Sequence, residues 1–355
     1  MRRKTKPVFA GDIQIGGGAP VSIQSMLSLP PDKIEENIAQ ALSLQQAGCD
    51  IIRIAVPDTN SVRLIAALKE AVRMPVVADI HFDYKLALES AEAGADKIRI
   101  NPGNIGADER VRAVADACRP KGIPIRIGVN SGSVEKHILA KYGAPTPQAM
   151  VESALYHASL LERCDFTDIA ISIKSGHVPA MVAAYRLASE ACTYPLHLGV
   201  THAGTLRMGT LKNAIGIGSL LLDGIGDTIR VSLADTPEQE IYAAQDILRA
   251  VGMSRGGVEV IACPTCGRTT TDVIALAQQV EQKLKGIAEP MTIAVMGCVV
   301  NGPGEAREAD LGICGGKGTG LLFAKGKVIK RLPQKDLLEG LLEQAELLQK
   351  ERENA

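Results

Sequence analysis

Eight short apolar runs recur across the first 250 or so residues, at 21–26, 51–55, 76–81, 97–101, 125–130, 169–174, 196–201 and 228–233. Segments with helical spacing lie between them. After the first run, Ile34, Ile38, Ala41 and Leu42 share one helical face, and Gly48 ends it. The segment 47–54 is echoed at 93–100: Ala-Gly-x-Asp followed by a short run carrying Ile-Arg-Ile, a helix end leading into a strand. Eight strand–helix units of this length predict an α/β fold, a (β/α)8 TIM-type barrel. An open doubly wound sheet is the alternative. Its dinucleotide-binding form lacks its fingerprint here, because no Gly-x-Gly-x-x-Gly follows the first strand.

Four of these strands place Arg between aliphatics: Ile52-Arg53-Ile54, Ile98-Arg99-Ile100, Ile125-Arg126-Ile127 and Ile229-Arg230-Val231. Side chains alternate along a strand. If the aliphatics pack outward on the helices, each Arg points into the barrel. The same parity turns Gln24, Asp79, His81, Asn101, Asn130, Ser172, Lys174, His197, Thr201 and Ser232 inward. Buried cations without counter-charge are costly. Asp79 is expected to answer only one of them, so a multiply charged anionic ligand is expected, and Arg forks suit phosphate. The alternative places some Arg near the rim or pairs them with helix carboxylates. His81 and Asp79 share a face and form a candidate acid–base pair. The Gly- and Asn-rich loop 101–106 can aim backbone N–H groups at phosphate.

Beyond a Gly-rich linker at 252–257 the order of elements changes. The barrel is therefore assigned to residues 1–253 and a smaller α+β domain to 254–355. The latter is expected to hold a strand at 258–262, a helix at 272–284, a strand at 291–296, a hairpin near 321–329 and a final helix from about 334. It carries Cys263-Pro264-Thr265-Cys266 and, after 31 intervening residues, Cys298 in Gly297-Cys298-Val299-Val300-Asn301-Gly302-Pro303-Gly304-Glu305. Thiolates at this spacing hold zinc or an iron–sulfur cluster. With no His after His202, zinc would need Cys314 as its fourth ligand. The other set is three thiolates with the Glu305 carboxylate, which leaves one exchangeable position. The other Cys, at 49, 118, 164 and 192, sit in apolar or helical patterns and are expected to be small core residues.

A formal net charge of −1, 3% aromatic residues and no Trp give no support to a nucleic-acid partner. No apolar run approaches the ~18 residues of a membrane span. The basic start of the chain is followed by no apolar stretch of the signal-peptide kind. A cytoplasmic setting with reduced thiols is expected.

The motifs around Cys263 and Cys298, together with Ala78-Asp79-Ile80-His81-Phe82-Asp83-Tyr84, Arg99-Ile100-Asn101-Pro102-Gly103-Asn104-Ile105-Gly106 and Gly226-Asp227-Thr228-Ile229-Arg230-Val231-Ser232, resemble the 4-hydroxy-3-methylbut-2-enyl diphosphate synthase family of the non-mevalonate isoprenoid pathway. The resemblance spans nearly the whole chain, in order. It implies the two-domain bacterial form and a [4Fe-4S] cluster held by Cys263, Cys266, Cys298 and Glu305. It implies a cyclic diphosphate substrate, 2-C-methyl-D-erythritol 2,4-cyclodiphosphate, bound by Arg53, Asp79, His81, Arg99, Arg126, Asn130, Lys174, Arg230 and Ser232. Glu305, His202 and His81 would take part in catalysis. Reduced flavodoxin or ferredoxin would supply electrons singly, and a head-to-tail homodimer would close each barrel mouth with the other subunit's cluster domain. Two departures stand out. The family's Gln-Ser-Met-Thr-Asn-Thr is here Gln24-Ser25-Met26-Leu27-Ser28-Leu29, and its Thr-Glu-Ala-Gly is here Thr201-His202-Ala203-Gly204. An imidazole thus stands where the family has a carboxyl proton donor.

Overall fold

A computed structural model describes residues 2–101, 105, 108–254, 256–285, 287, 289–299 and 302–353. The chain divides into two compact units, Met1–Met253 and Ser254–Ala355.

The first unit opens with a hairpin, β1 (Val8–Ala10) and β2 (Ile13–Ile15). Eight strands follow: β3 (Ser22–Met26), β4 (Ile51–Ala55), β5 (Val76–Ile80), β6 (Lys97–Ile100), β7 (Ile125–Asn130), β8 (Ile169–Lys174), β9 (His197–Leu198) and β10 (Thr228–Ile229). They pair in parallel in the order β8-β7-β6-β5-β4-β3-β10-β9. A parallel bridge between Ile171 and Leu196 joins the two ends and closes the barrel.

Parity decides which side chains go where. Ile52, Ile54, Ala78, Ile80, Ile98, Ile100, Ile125 and Ile127 are all buried in the layer shared with the surrounding helices. That commits Arg53, Asp79, Arg99 and Arg126 to the barrel interior. The helices start where short polar side chains can take up free N–H groups. Asp58 caps Thr59–Ala71 by accepting from the Ser61 N–H at 2.9 Å, and Thr146 caps Pro147–Glu162 by accepting from the Ala149 N–H at 3.2 Å.

The β1–β2 hairpin was not anticipated from the sequence. Its strands are three residues each, too short for a period-2 signal. It buries Val8, Ala10 and Ile15 against Ile51 and Val77, near the N-terminal ends of β4 and β5, and so floors the barrel with apolar atoms. The polar interior begins above that floor and opens at the C-terminal ends of the strands, where such barrels carry their chemistry.

The second unit is a five-stranded sheet: β11 (Val258–Ala262), β12 (Met291–Met296), β13 (Leu311–Cys314), β14 (Thr319–Ala324) and β15 (Lys327–Pro333), in that spatial order. The first three run parallel and the last two join antiparallel. One face packs on the helices Val273–Lys283 and Leu337–Glu353, through Val273, Val280, Ile293, Val295, Leu337 and Leu341. The other face buries Ala294, Met296, Cys314 and Phe323 beneath Ala306 and Ala309. Strand β13 escaped the sequence reading because Gly312 interrupts its apolar pattern. The reason for that glycine is packing: a Cβ there would lie 2.3 Å from the Phe323 ring. The hairpin also runs longer than expected, turning at Lys325-Gly326, both with positive φ.

Candidate functional site

Asp79 is the hub of the barrel interior. Its side chain is 1% exposed, and its two oxygens are shared among three partners. Arg99 Nη1 donates to Oδ1 at 2.9 Å, while Arg53 Nη2 lies 3.1 Å and His81 Nε2 3.1 Å from Oδ2. Burial alone would push this carboxyl up. Arg53, the His81 hydrogen bond and Arg99 outweigh that and hold it well below the usual carboxylate range. Asp79 therefore answers two guanidiniums, where the sequence reading allowed it one. Arg99 also donates from Nη2 to the Gly128 carbonyl at 3.3 Å. Gly128 is glycine for that reason: a Cβ would sit 2.4 Å from Arg99 Nε.

Arg230 has a partner from outside the strands. Its Nη2 lies 3.4 Å from Oε2 of Glu240, on the helix Pro237–Ala250. Glu240 also accepts from Ser25 Oγ at 3.3 Å and from the Leu233 N–H at 3.0 Å. Among the described residues, Arg126 Nε and Nη1 and Lys97 Nζ are buried with no hydrogen-bond partner. Burial drives the pKa of Arg126, Lys97 and Lys174 down, and the neighbouring guanidiniums add to it. Arg53 is lowered to about 10, by burial first, with Arg230 and Arg99 adding to the drop while Asp79 opposes it. Burial also drives the pKa of His197 down, and Arg126, Lys174 and Lys97 add to it. Among the described residues the interior thus gathers six basic side chains, Arg53, Lys97, Arg99, Arg126, Lys174 and Arg230, around two carboxylates, Asp79 and Glu240.

In the second unit, parallel pairing aligns Ala262 with Val295, which sets Cys263 and Cys298 beyond the same ends of two adjacent strands. The Gly297 N–H donates to Cys263 Sγ at 3.1 Å. Cys266 sits in the next turn, where its N–H donates to Thr269 Oγ1 at 3.0 Å, and its thiol is lowered by the Arg268 backbone N–H. N–H groups aimed at sulfur favour the thiolate. Cys314, the alternative ligand, is fully buried on β13, and burial pushes its thiol up. The described residues form no group of three or more metal-ligating side chains. Val300 and Asn301, within the Cys298–Glu305 motif, lie outside the described residues.

A family model described as the GcpE TIM-barrel domain matches residues 5–245, and one described as the GcpE protein C-terminal domain matches residues 259–347. The chain belongs to the GcpE family. A relative from Caldanaerobacter subterraneus subsp. tengcongensis, named 4-hydroxy-3-methylbut-2-en-1-yl diphosphate synthase (flavodoxin), is 54% identical over 351 residues, 99% of each chain. Relatives of the same name come from Clostridium perfringens and Bacillus subtilis. The first is 54% identical over 341 residues (96% of this chain, 98% of the relative), the second 50% identical over 350 residues (99% and 93%). The resemblance carried by the sequence motifs and the expected barrel are both borne out.

In this GcpE barrel the expected residues do not all converge. Arg53, Asp79, His81 and Arg99 are in direct contact, and Arg126, Lys174 and Arg230 lie close enough to perturb them electrostatically. Asn130 is half-buried at the end of β7 and Ser232 is half-buried three residues past β10; the Asn130 N–H donates to Ser133 Oγ at 3.1 Å, and Asn213 Nδ2 donates to the Ser232 carbonyl at 3.3 Å. His202 is exposed with φ of 53°, in the left-handed region, and makes none of the contacts around Asp79. Residues 102–104 and 106 of the expected phosphate loop lie outside the described residues. Two members of the interior were missed. Lys97 was within reach, since it precedes Arg99 by two and shares its parity. Glu240 had no strand signal, because it enters from a helix.

Proposed function

We propose that this GcpE chain reduces 2-C-methyl-D-erythritol 2,4-cyclodiphosphate to 4-hydroxy-3-methylbut-2-enyl diphosphate. The observation that carries the reading is the interior surplus of buried cations over carboxylates, which a diphosphate would balance. The relatives' shared name points to the same product. Counted on the neutral acids, the substrate takes up two electrons and two protons, opens its ring at a C–O bond and releases one water.

Arg53, Arg99, Arg126, Arg230 and Lys174 would hold the diphosphate, with Asn130 and Ser232 adding polar contacts. Guanidiniums held by Asp79 and Glu240 are already oriented, so little rearrangement is needed when charge develops on the leaving oxygen. Asp79 ties the exposed His81 ring to the barrel mouth by its Nε2 contact, where it would hold a proton near that oxygen. His202 would deliver a proton in place of the family's carboxyl.

A [4Fe-4S] cluster would be held by Cys263, Cys266, Cys298 and Glu305, three soft thiolates and one carboxylate. In support, Cys263 and Cys298 share one sheet end, and the Arg268 backbone N–H lowers the Cys266 thiol. When bound, such a group supplies single electrons and a Lewis-acidic iron whose carboxylate ligand can be exchanged. Electrons would arrive from reduced flavodoxin or ferredoxin, and a head-to-tail homodimer would present one subunit's cluster unit to the other's barrel mouth. No helix among the described residues is long and apolar enough to cross a membrane. Zinc held through Cys314 is disfavoured by that thiol's place in the core. Anaerobic purification tests the reading: a brown protein with iron and sulfide that converts the cyclodiphosphate supports it, and a colourless protein with stoichiometric zinc refutes it.

A further inference from the structure

The segment 315–335 carries six basic residues, Lys317, Lys325, Lys327, Lys330, Arg331 and Lys335, and no acidic one. All six are exposed, and among the described residues no carboxylate pairs with them. Most sit on or beside β15, the edge strand of the second unit's sheet. Near the start of that strand Val328 and Ile329 are 50% and 49% exposed. Lysines on an edge strand can serve merely to discourage edge pairing. An exposed aliphatic pair ringed by unanswered positive charge has more the makeup of a docking patch for an acidic protein.

Its position indicates which acidic protein. Register runs straight across the sheet from Met296 to Cys314, Leu321 and Arg331. Three inter-strand steps of about 4.8 Å put Arg331 about 14 Å from Met296, two residues before Cys298. At the same end, Gln334 Nε2 donates to the Thr270 carbonyl at 3.3 Å, in the loop that carries Cys266. The basic strand therefore leads to the sheet end where Cys263, Cys266 and Cys298 lie.

We propose that β15 and its flanking lysines form the docking surface for the protein electron donor, a small acidic carrier of the flavodoxin kind. The proposal rests on the reductive reading above. Docking here would bring the carrier to the thiolate end of the unit.

The test compares cluster-loaded wild type with the triple variant Lys327→Glu, Lys330→Glu, Arg331→Glu. Each is assayed with dithionite and with reduced flavodoxin over a salt series. Expected is a rise of about tenfold or more in KM for flavodoxin, with wild type losing the same advantage as salt increases. Turnover with dithionite is unchanged. An unaltered KM with a flat salt response overturns the proposal, as does a change in oligomeric mass, which would make the patch an interface between copies. Flavodoxin binding is also measured without substrate, so the surface is judged even if turnover fails. Equal Kd for both proteins refutes the surface, whereas absent turnover with either reductant refutes the catalytic reading instead.

Discussion

Arg126→Met should make the ligand-free protein more stable and the ligand weaker. Arg126 is 1% exposed, with Nε and Nη1 unbonded among the described residues. Of its charged neighbours, Arg53 and Arg99 repel it and Asp79 attracts it. Asp79 is itself committed to those two guanidiniums, so one repulsion goes unanswered. For two like charges about 7 Å apart at an effective dielectric of about 20, such a repulsion would be about 2.4 kcal/mol. Methionine is apolar and close in length, and replacing buried ions by apolar residues has stabilised proteins by about 1–4 kcal/mol. A gain in that range is expected in the urea transition of the barrel, followed without ligand. Binding should move the other way. Losing two charge-assisted hydrogen bonds at about 1.5–3 kcal/mol each raises the Kd for the cyclodiphosphate by a hundredfold or more. Iron content should not change. A variant less stable than wild type by more than about 1 kcal/mol would refute the reasoning, since it would mean that the guanidinium is satisfied in the free protein. Unchanged affinity would show that Arg126 does not serve the anion.

Asp79→Asn should cost about 3–5 kcal/mol by urea unfolding, because it leaves buried guanidiniums without their carboxylate. Its folded pKa lies below its unfolded one, so the contribution is complete above about pH 4 and is lost as the pH falls from there. The wild type should therefore lose stability below pH 4 more steeply than the variant; parallel pH profiles would contradict the assignment. Gly128→Ala should displace the Arg99 guanidinium, weakening ligand binding at least tenfold while the helices' circular dichroism stays unchanged; wild-type affinity would show that the guanidinium has room to move. Cys314→Ser should retain full iron content while losing about 1–3 kcal/mol of stability from a buried hydroxyl, whereas Cys298→Ser should lose the iron. Iron lost from the first variant would place Cys314 among the ligands.

The barrel was legible because its strands report themselves twice, as apolar runs and through the Arg placed between aliphatics. Parity alone turned Arg53, Arg99 and Arg126 inward, and the structure agrees. It could not supply Glu240, since a carboxylate arriving from a helix leaves no mark on strand periodicity. It also undercounted Asp79, because two guanidiniums sharing one carboxylate is a matter of geometry across β4, β5 and β6. The hairpin floor and β13 escaped for opposite reasons, one too short for a pattern and the other broken by a glycine that makes room for Phe323. The spacing of Cys263, Cys266 and Cys298 suggested a set of soft ligands. Their shared sheet end became visible only from the pairing of β11 with β12.

The most direct test is anaerobic turnover of 2-C-methyl-D-erythritol 2,4-cyclodiphosphate by the isolated, iron-loaded protein with dithionite as reductant, followed by mass spectrometry of the product. Formation of 4-hydroxy-3-methylbut-2-enyl diphosphate, abolished in Cys298→Ser, is the predicted result. Intact cyclodiphosphate after incubation with protein holding four irons per chain would contradict it.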